Sequence, residues 1–267
     1  EDKTMQLEIT IVDAFTDTPF KGNSEAVIIT QQWLADDLMQ SIAAENNLSE
    51  TAFLLKCSDS EYRIRWFSPV TEIDFCGHAT LTSAFVLFSK NPTLQGVHFS
   101  AGAVGKMYIA RADDGYITMH FPKRASHPVA HIPGDLMTGL SIQPADVLRN
   151  NQAYFAIYER EEDIFNLKPD PAKLKNLAPF DVVATARSVQ YDFISSYFWP
   201  ANGGVEDPVT GSIHTGLAPY WAEKLDKSRL TAFQASKRRG LLNCQVKEDR
   251  VIISGKAVQY LKGTISV

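Results

Sequence analysis

The chain is poor in cysteine. Its 267 residues hold three, Cys57, Cys76 and Cys244, too few and too far apart for a disulfide framework. No CxxC or paired Cys/His spacing points to zinc, so a reduced, cytoplasmic protein is expected, with no metal. Long apolar runs are missing as well: no stretch approaches the roughly 18 apolar residues of a membrane helix. The opening EDKTMQLEITIV lacks the basic segment and apolar core of a signal peptide. Basic blocks are short, Lys237-Arg238-Arg239 being the longest, and 31 acidic against 26 basic residues leave a net charge of −5. That balance gives no support to a nucleic-acid partner. The glycines do not fit GxGxxG or GxxxxGK[ST], so neither a dinucleotide nor a P-loop nucleotide is expected. What is present, 45% hydrophobic and 21% charged residues, is the balance of a globular chain able to bury one large core or two of ordinary size.

Periodicity supplies the outline. LEITIVDAF (7–15) alternates as a strand and stops at a Thr-Asp-Thr-Pro turn. Residues 33–46 repeat at helical spacing, TAFLLK and YRIRWF read as short strands, and FCGHATLTSAFVLF reads as an apolar helix behind a glycine. Strands VHFSA, KMYIARA and YITMHF close the first half. The Pro- and Gly-containing stretch 125–143 reads as a crossover. The second half repeats the order: QAYFAIYE as strand, a lysine-rich helix near 170–177, strands at 180–187 and 193–199, a helix after Gly211, then strands near 242–254 and 257–266. Each half carries a strand, a glycine turn and an apolar helix, Cys76-Gly77-His78 in one and Thr210-Gly211-Ser212 in the other. The parallel predicts two similar α+β domains, 1–124 and 125–267, whose final strand can return to the first.

Several residues carry candidate chemistry. Counted at 100° per residue from Leu34, the residues Leu38, Ile42 and Glu45 fall within roughly an 80° arc, which puts Glu45 on the apolar face. Burial would raise its pKa toward the range useful for proton transfer. The plainer alternative is a carboxylate in the last turn that bends back to water. His78 stands at a helix start, where the dipole favours a neutral imidazole that bonds a substrate or relays a proton. A structural histidine fits the same position. Cys76 reads either as a thiol of lowered pKa or as a buried, inert one. In EDPVTGSIH (206–214), helical phase sets Ser212 and His214 about 200° apart, which excludes a local nucleophile and base pair. The segment fits an anion-binding turn, with Asp207 and Pro208 at the entry and Gly211 and Ser212 against a ligand. An ordinary capped helix start is the alternative.

NNLSETAF (46–53), IRWFSPVTEIDFCGHATL (64–81) and YFWPANGGVEDPVTGSIHTGLA (197–218), with GNSEAV (22–27) after VDAFTDTPF, strongly resemble the PhzF-like phenazine-biosynthesis family, related in fold to diaminopimelate epimerase. The resemblance implies two domains, each a barrel-like sheet around a central helix, with the active site in the cleft between them. It implies a homodimeric isomerase that needs no cofactor or metal and acts on a small carboxylate-bearing substrate. Under it, Glu45 is the general acid/base, His78 and Asp207 position the substrate and assist transfer, and Gly77, Gly211 and Ser212 line the carboxylate pocket. The chain departs from the pattern at Ser24-Glu25, where Pro-Ala is more familiar, and at Ser195-Ser196, where a Ser-Arg pair is frequent. Pro219 falls inside the helix drawn after Gly211, which predicts a kinked or shortened helix. Two other functions compete: a racemase or epimerase using Cys76 as base, and a non-catalytic protein that binds a small acid.

Overall fold

A computed structural model describes residues 5–202 and 204–267. The chain divides into two compact units, Glu1–His120 with Ser254–Val267, and Phe121–Ile253. In the first unit the strands are β1 (Gln6–Ala14), β2 (Asn23–Thr30), β3 (Glu50–Lys56), β4 (Glu61–Phe67), the stub β5 (Glu72–Ile73), β6 (Gly96–Ala101), β7 (Gly105–Arg111) and β8 (Ile117–Pro122), with the last strand of the chain, Ala257–Ser266, lying antiparallel to β1. Helix α1 (Asp36–Asn46) joins β2 to β3, and α2 (Gly77–Lys90) joins β5 to β6. Eleven of the 14 residues of α2 are buried, on every face of the helix. A helix that avoids water all round has to be enclosed, and here it contacts β1, β2, β3 and β7.

The second unit repeats this topology. Its strands are β9 (His127–Pro128), β10 (Asp146–Arg149), β11 (Ala153–Tyr158), β12 (Asp181–Arg187), β13 (Phe193–Phe198), the stub β14 (Glu206–Asp207), β15 (Arg229–Gln234), β16 (Gly240–Val246) and β17 (Arg250–Gly255). The helices are α3 (Gly134–Gly139), α4 (Glu161–Asn166), α5 (Pro171–Leu174) and α6 (His214–Leu225). From β1 to β7 the pairings run antiparallel, parallel, antiparallel, parallel, antiparallel. From β10 to β16 they run in the same sequence. Each unit inserts helix between its parallel pair, carries a two-residue stub strand, and sends its main helix from just after that stub.

Helix α6 continues through Pro219 as one element, so the proline does not end the helix. A proline at this position leaves the carbonyl four residues earlier, that of Thr215, without its helical donor. The amide of Arg124 fills the place at 3.1 Å. Gly216 makes the approach feasible: a Cβ there would meet Phe155, the Asn150 side chain and the Arg124 carbonyl, each at under 3.0 Å.

Apart from the two-residue stubs, three strands escape a reading of the sequence: β2 begins inside the turn-like GNSEAV, β10 follows the stretch read as a crossover, and β15 is RLTAFQ. The stretch near 242–254 forms two strands, β16 and β17, rather than one. No helix among the described residues is long and apolar enough to cross a membrane.

Candidate active site

The centre of the first unit is built on a strand register. β2 and β3 run parallel with Glu25 opposite Glu50, so the two carboxylates project to the same side of the sheet. Both residues are buried. Local sequence fixes each one. Gly22, at φ +67, occupies a place where any Cβ would lie 2.0 Å from the Ala14 carbonyl, and it turns the chain into β2. Asn47, left-handed at φ 49, ends α1. Asn46 Nδ2 then donates to Thr51 Oγ1 at 3.1 Å, and Ser49 Oγ donates to Asn23 Oδ1 at 2.7 Å. These ties hold the start of β3 against β2.

Like charges opposite one another in a sheet are destabilising unless a cation joins them. His78, the second residue of α2, is that cation. Its Nδ1 lies 2.5 Å from Glu25 Oε1 and 3.5 Å from Glu50 Oε2. Burial pushes the imidazole pKa down, while the Glu25 and Glu50 carboxylates beside the ring push it up, and His78 is held above its ordinary value. The shift runs opposite to the one expected at a helix N-terminus. The helix dipole is a partial charge, whereas Glu25 and Glu50 bring carboxyl oxygens to 2.5 and 3.5 Å from the ring nitrogen.

Cys76 caps α2, its Sγ accepting from the Ala79 amide at 3.4 Å and lying 3.2 Å from His78 Nδ1. Burial first, and the Glu50 charge next, raise its thiol above the ordinary cysteine range. Cys76 is thus a protonated cap, the inert alternative of the two. Glu50, Cys76 and His78 do bring three possible metal donors within 4.8 Å of one another. Nδ1 of His78 is engaged with Glu25 at 2.5 Å, which places a shared hydrogen between nitrogen and carboxylate on that side of the ring.

In the second unit the corresponding turn follows β14. Asp207 is buried and accepts a hydrogen bond from Thr210 Oγ1. Gln234, fully buried, locks the turn: its Oε1 accepts from the Thr210 amide at 2.8 Å and its Nε2 donates to the Asp207 carbonyl at 2.9 Å. Ser212 Oγ accepts from Gln152 Nε2 at 2.9 Å, and the same nitrogen lies 3.0 Å from Tyr197 Oη. Tyr197 in turn donates to Asp181 at 2.6 Å. His214 Nδ1 donates to the Thr210 carbonyl at 2.8 Å, and burial lowers its pKa to about 4, so this ring is neutral. Ser212 lies in the turn before α6, and its partners are separate from those of His214.

Of the expected site residues, His78 and Gly77 sit at the acid pair, and Asp207, Gly211 and Ser212 share the second turn. Glu45 is not buried as its helical phase predicted: it is exposed. The phase count that buried it began at Leu34, which lies two residues before the helix starts. The buried face of α1 is Met39, Ile42 and Ala43, and Glu45 points roughly 110° away from its centre. Glu50 holds the buried position instead, and Glu25 is its unforeseen neighbour. The available signal for both was an acid in a strand whose other residues are almost wholly buried.

Comparison with known proteins agrees with this frame. The family model described as PhzC-PhzF, phenazine biosynthesis-like protein, matches residues 12–263. An uncharacterized isomerase of Pseudomonas aeruginosa is 47% identical over 261 residues, covering 98% of this chain and 99% of its own. The crystal structure of a PhzF-family phenazine biosynthesis protein from Enterococcus faecalis superposes with a TM-score of 0.92 at 39% identity, covering 98% and 99% of the two chains. A hydroxyproline epimerase from Agrobacterium vitis shares the fold at a TM-score of 0.62 and 11% identity, covering 100% of this chain and 93% of the epimerase. The sequence relatives support an isomerase. The chain, matched from end to end in sequence and in backbone, belongs to the phenazine biosynthesis-like PhzF family.

Proposed function

We propose that the protein is an isomerase that moves a proton within a small carboxylate-bearing substrate, with Glu50 in place of Glu45 as the general acid/base. The observation that carries this reading is the buried trio of Glu25, His78 and Glu50. Burying two carboxylates and an imidazole is costly, and such groups concentrate where protons are exchanged.

The trio divides the work. Glu25 lies close enough to pair with the His78 cation, which leaves Glu50, a full ångström farther from Nδ1, to gain and lose a proton. A carbon next to a carboxylate or a conjugated double bond gives its proton to Glu50. The electron pair delocalises into the neighbouring π system, and Glu50–H returns the proton to a different carbon. The His78 cation stabilises the negative charge while Glu50 is protonated. The proposal assigns Gly77, Asp207, Gly211 and Ser212 to holding the substrate, the Ser212 hydroxyl proton being a donor for its carboxylate. The elevated pKa of Cys76 disfavours the thiol-base racemase. The reaction requires neither cofactor nor metal in this reading, and dimeric assembly remains part of the proposal.

The test is to incubate the protein in D₂O with a panel of small unsaturated and cyclic carboxylic acids and to follow deuterium at carbon by NMR. Incorporation into at least one acid is expected. Tight binding without exchange across the panel would favour a non-catalytic binding protein.

A further inference from the structure

The second unit contains an open groove of about 900 Å³ whose residues the proposed chemistry does not use. Lys123, Arg124 and Arg149 line it, together with His127, His131 and Tyr154. No carboxylate lines it, although the chain as a whole carries five more acidic than basic residues. None of the three cations forms an ion pair among the described residues.

The walls are fixed independently of any ligand. The Arg124 main chain is held on both sides, its amide donating to Thr215 and its carbonyl accepting from Asn150 Nδ2 at 2.9 Å. Asn150 Oδ1 accepts from the amides of Gln152 and Ala153 at 2.8 and 3.0 Å, which fixes the Asn150 side chain. His127 is the register partner of Arg149 in the β9–β10 pair. The Arg149 guanidinium lies 4.5 Å from the Phe180 ring centroid and 5.7 Å from that of Tyr154. Stacking of this kind restrains the group while leaving its N–H edge for in-plane bonds.

Like charges gathered around one concavity repel one another, and the concavity concentrates their field. A single negative charge offsets part of that repulsion; a ligand with several charges offsets most of it. The volume falls within the range of small-molecule sites. We infer that this groove binds a small multivalent anion, one bearing two or more phosphate or carboxylate groups. The inference does not depend on the proposed isomerase reaction.

The test is calorimetric titration of the full chain at low salt with inorganic pyrophosphate, tricarballylate and acetate, repeated on the Lys123→Gln/Arg124→Gln double variant. Pyrophosphate or tricarballylate is expected to bind and acetate not, with affinity falling as salt rises. Tighter pyrophosphate binding identifies a phosphate ligand; tighter tricarballylate binding identifies a carboxylate one. The double variant should bind at least about tenfold more weakly, each lost contact counting for a sizeable share of a small ligand's affinity. Amide shifts in the wild type should cluster at 123–131 and 149–154, a readout that stands even if the variant misfolds. The inference is overturned if neither multivalent anion binds, if acetate binds as tightly, if the double variant folds and binds unchanged, or if the shifts cluster elsewhere.

Discussion

Glu25 and Glu50 face each other across a parallel strand pair, and His78 closes over both, at 2.5 Å from one carboxylate and 3.5 Å from the other. Neither acid is close to the other in sequence, and the histidine is 53 residues from Glu25. The register alone brings them together, and their charges determine the state of the imidazole.

Glu25→Gln should expose that dependence. The folded pKa of His78 is raised, so its contribution to stability is fully present below about pH 6.5 and is lost as pH rises through the raised folded value. Removing one buried partner should cost about 3 kcal/mol at mildly acidic pH and much less in alkali. Urea midpoints at both pH values measure this, and imidazole ¹⁵N shifts should report a lowered pKa. An equal loss at the two pH values would show that Glu25 acts by packing alone.

His214 should act in the opposite sense. Its folded pKa of about 4 lies below the ordinary value of 6.5, so the unfolded chain takes up a proton that the folded chain refuses. Stability should decline by about 3 kcal/mol as pH falls from 6.5 toward 4. In His214→Gln this part of the acid slope should vanish, as followed by denaturant midpoints across that window. An unchanged slope would mean that the ring is protonated in the fold.

Cysteine and metal chemistry should be silent at the acid pair. Iodoacetamide should label the exposed Cys57 in the native protein and spare the buried Cys76 and Cys244, as read by mass spectrometry of peptides. Burial pushes the Cys244 thiol up to about 12. Chelation by EDTA should leave proton exchange unchanged. Loss of exchange restored by zinc would instead make Glu50, Cys76 and His78 metal ligands.

The sequence made the periodic elements legible: the alternation of β1, β3 and β4, the apolar α2, and the recurrence of a glycine turn before a buried helix in each half. The family motifs pointed to one turn in each half. Two kinds of information were out of reach. β2 was hidden because Gly22-Asn23-Ser24 carries turn residues at the start of a buried strand. The burial of Glu45 was misjudged because a helical phase is only as good as its origin, and Leu34 lies before α1 begins. The charge of His78 depends on strands distant in sequence, and local context at a helix start argued for the wrong sign.

The central claim is that Glu50 carries the proton. The most direct measurement compares Glu50→Gln with Glu45→Gln for solvent deuterium incorporation into an acid that the wild type exchanges, with binding of that acid followed alongside. Glu50→Gln should lose exchange by at least about a hundredfold, the scale of a general acid/base contribution, while still binding the acid. Glu45→Gln should exchange like the wild type. Retained exchange in Glu50→Gln, or its loss in Glu45→Gln, would contradict the account.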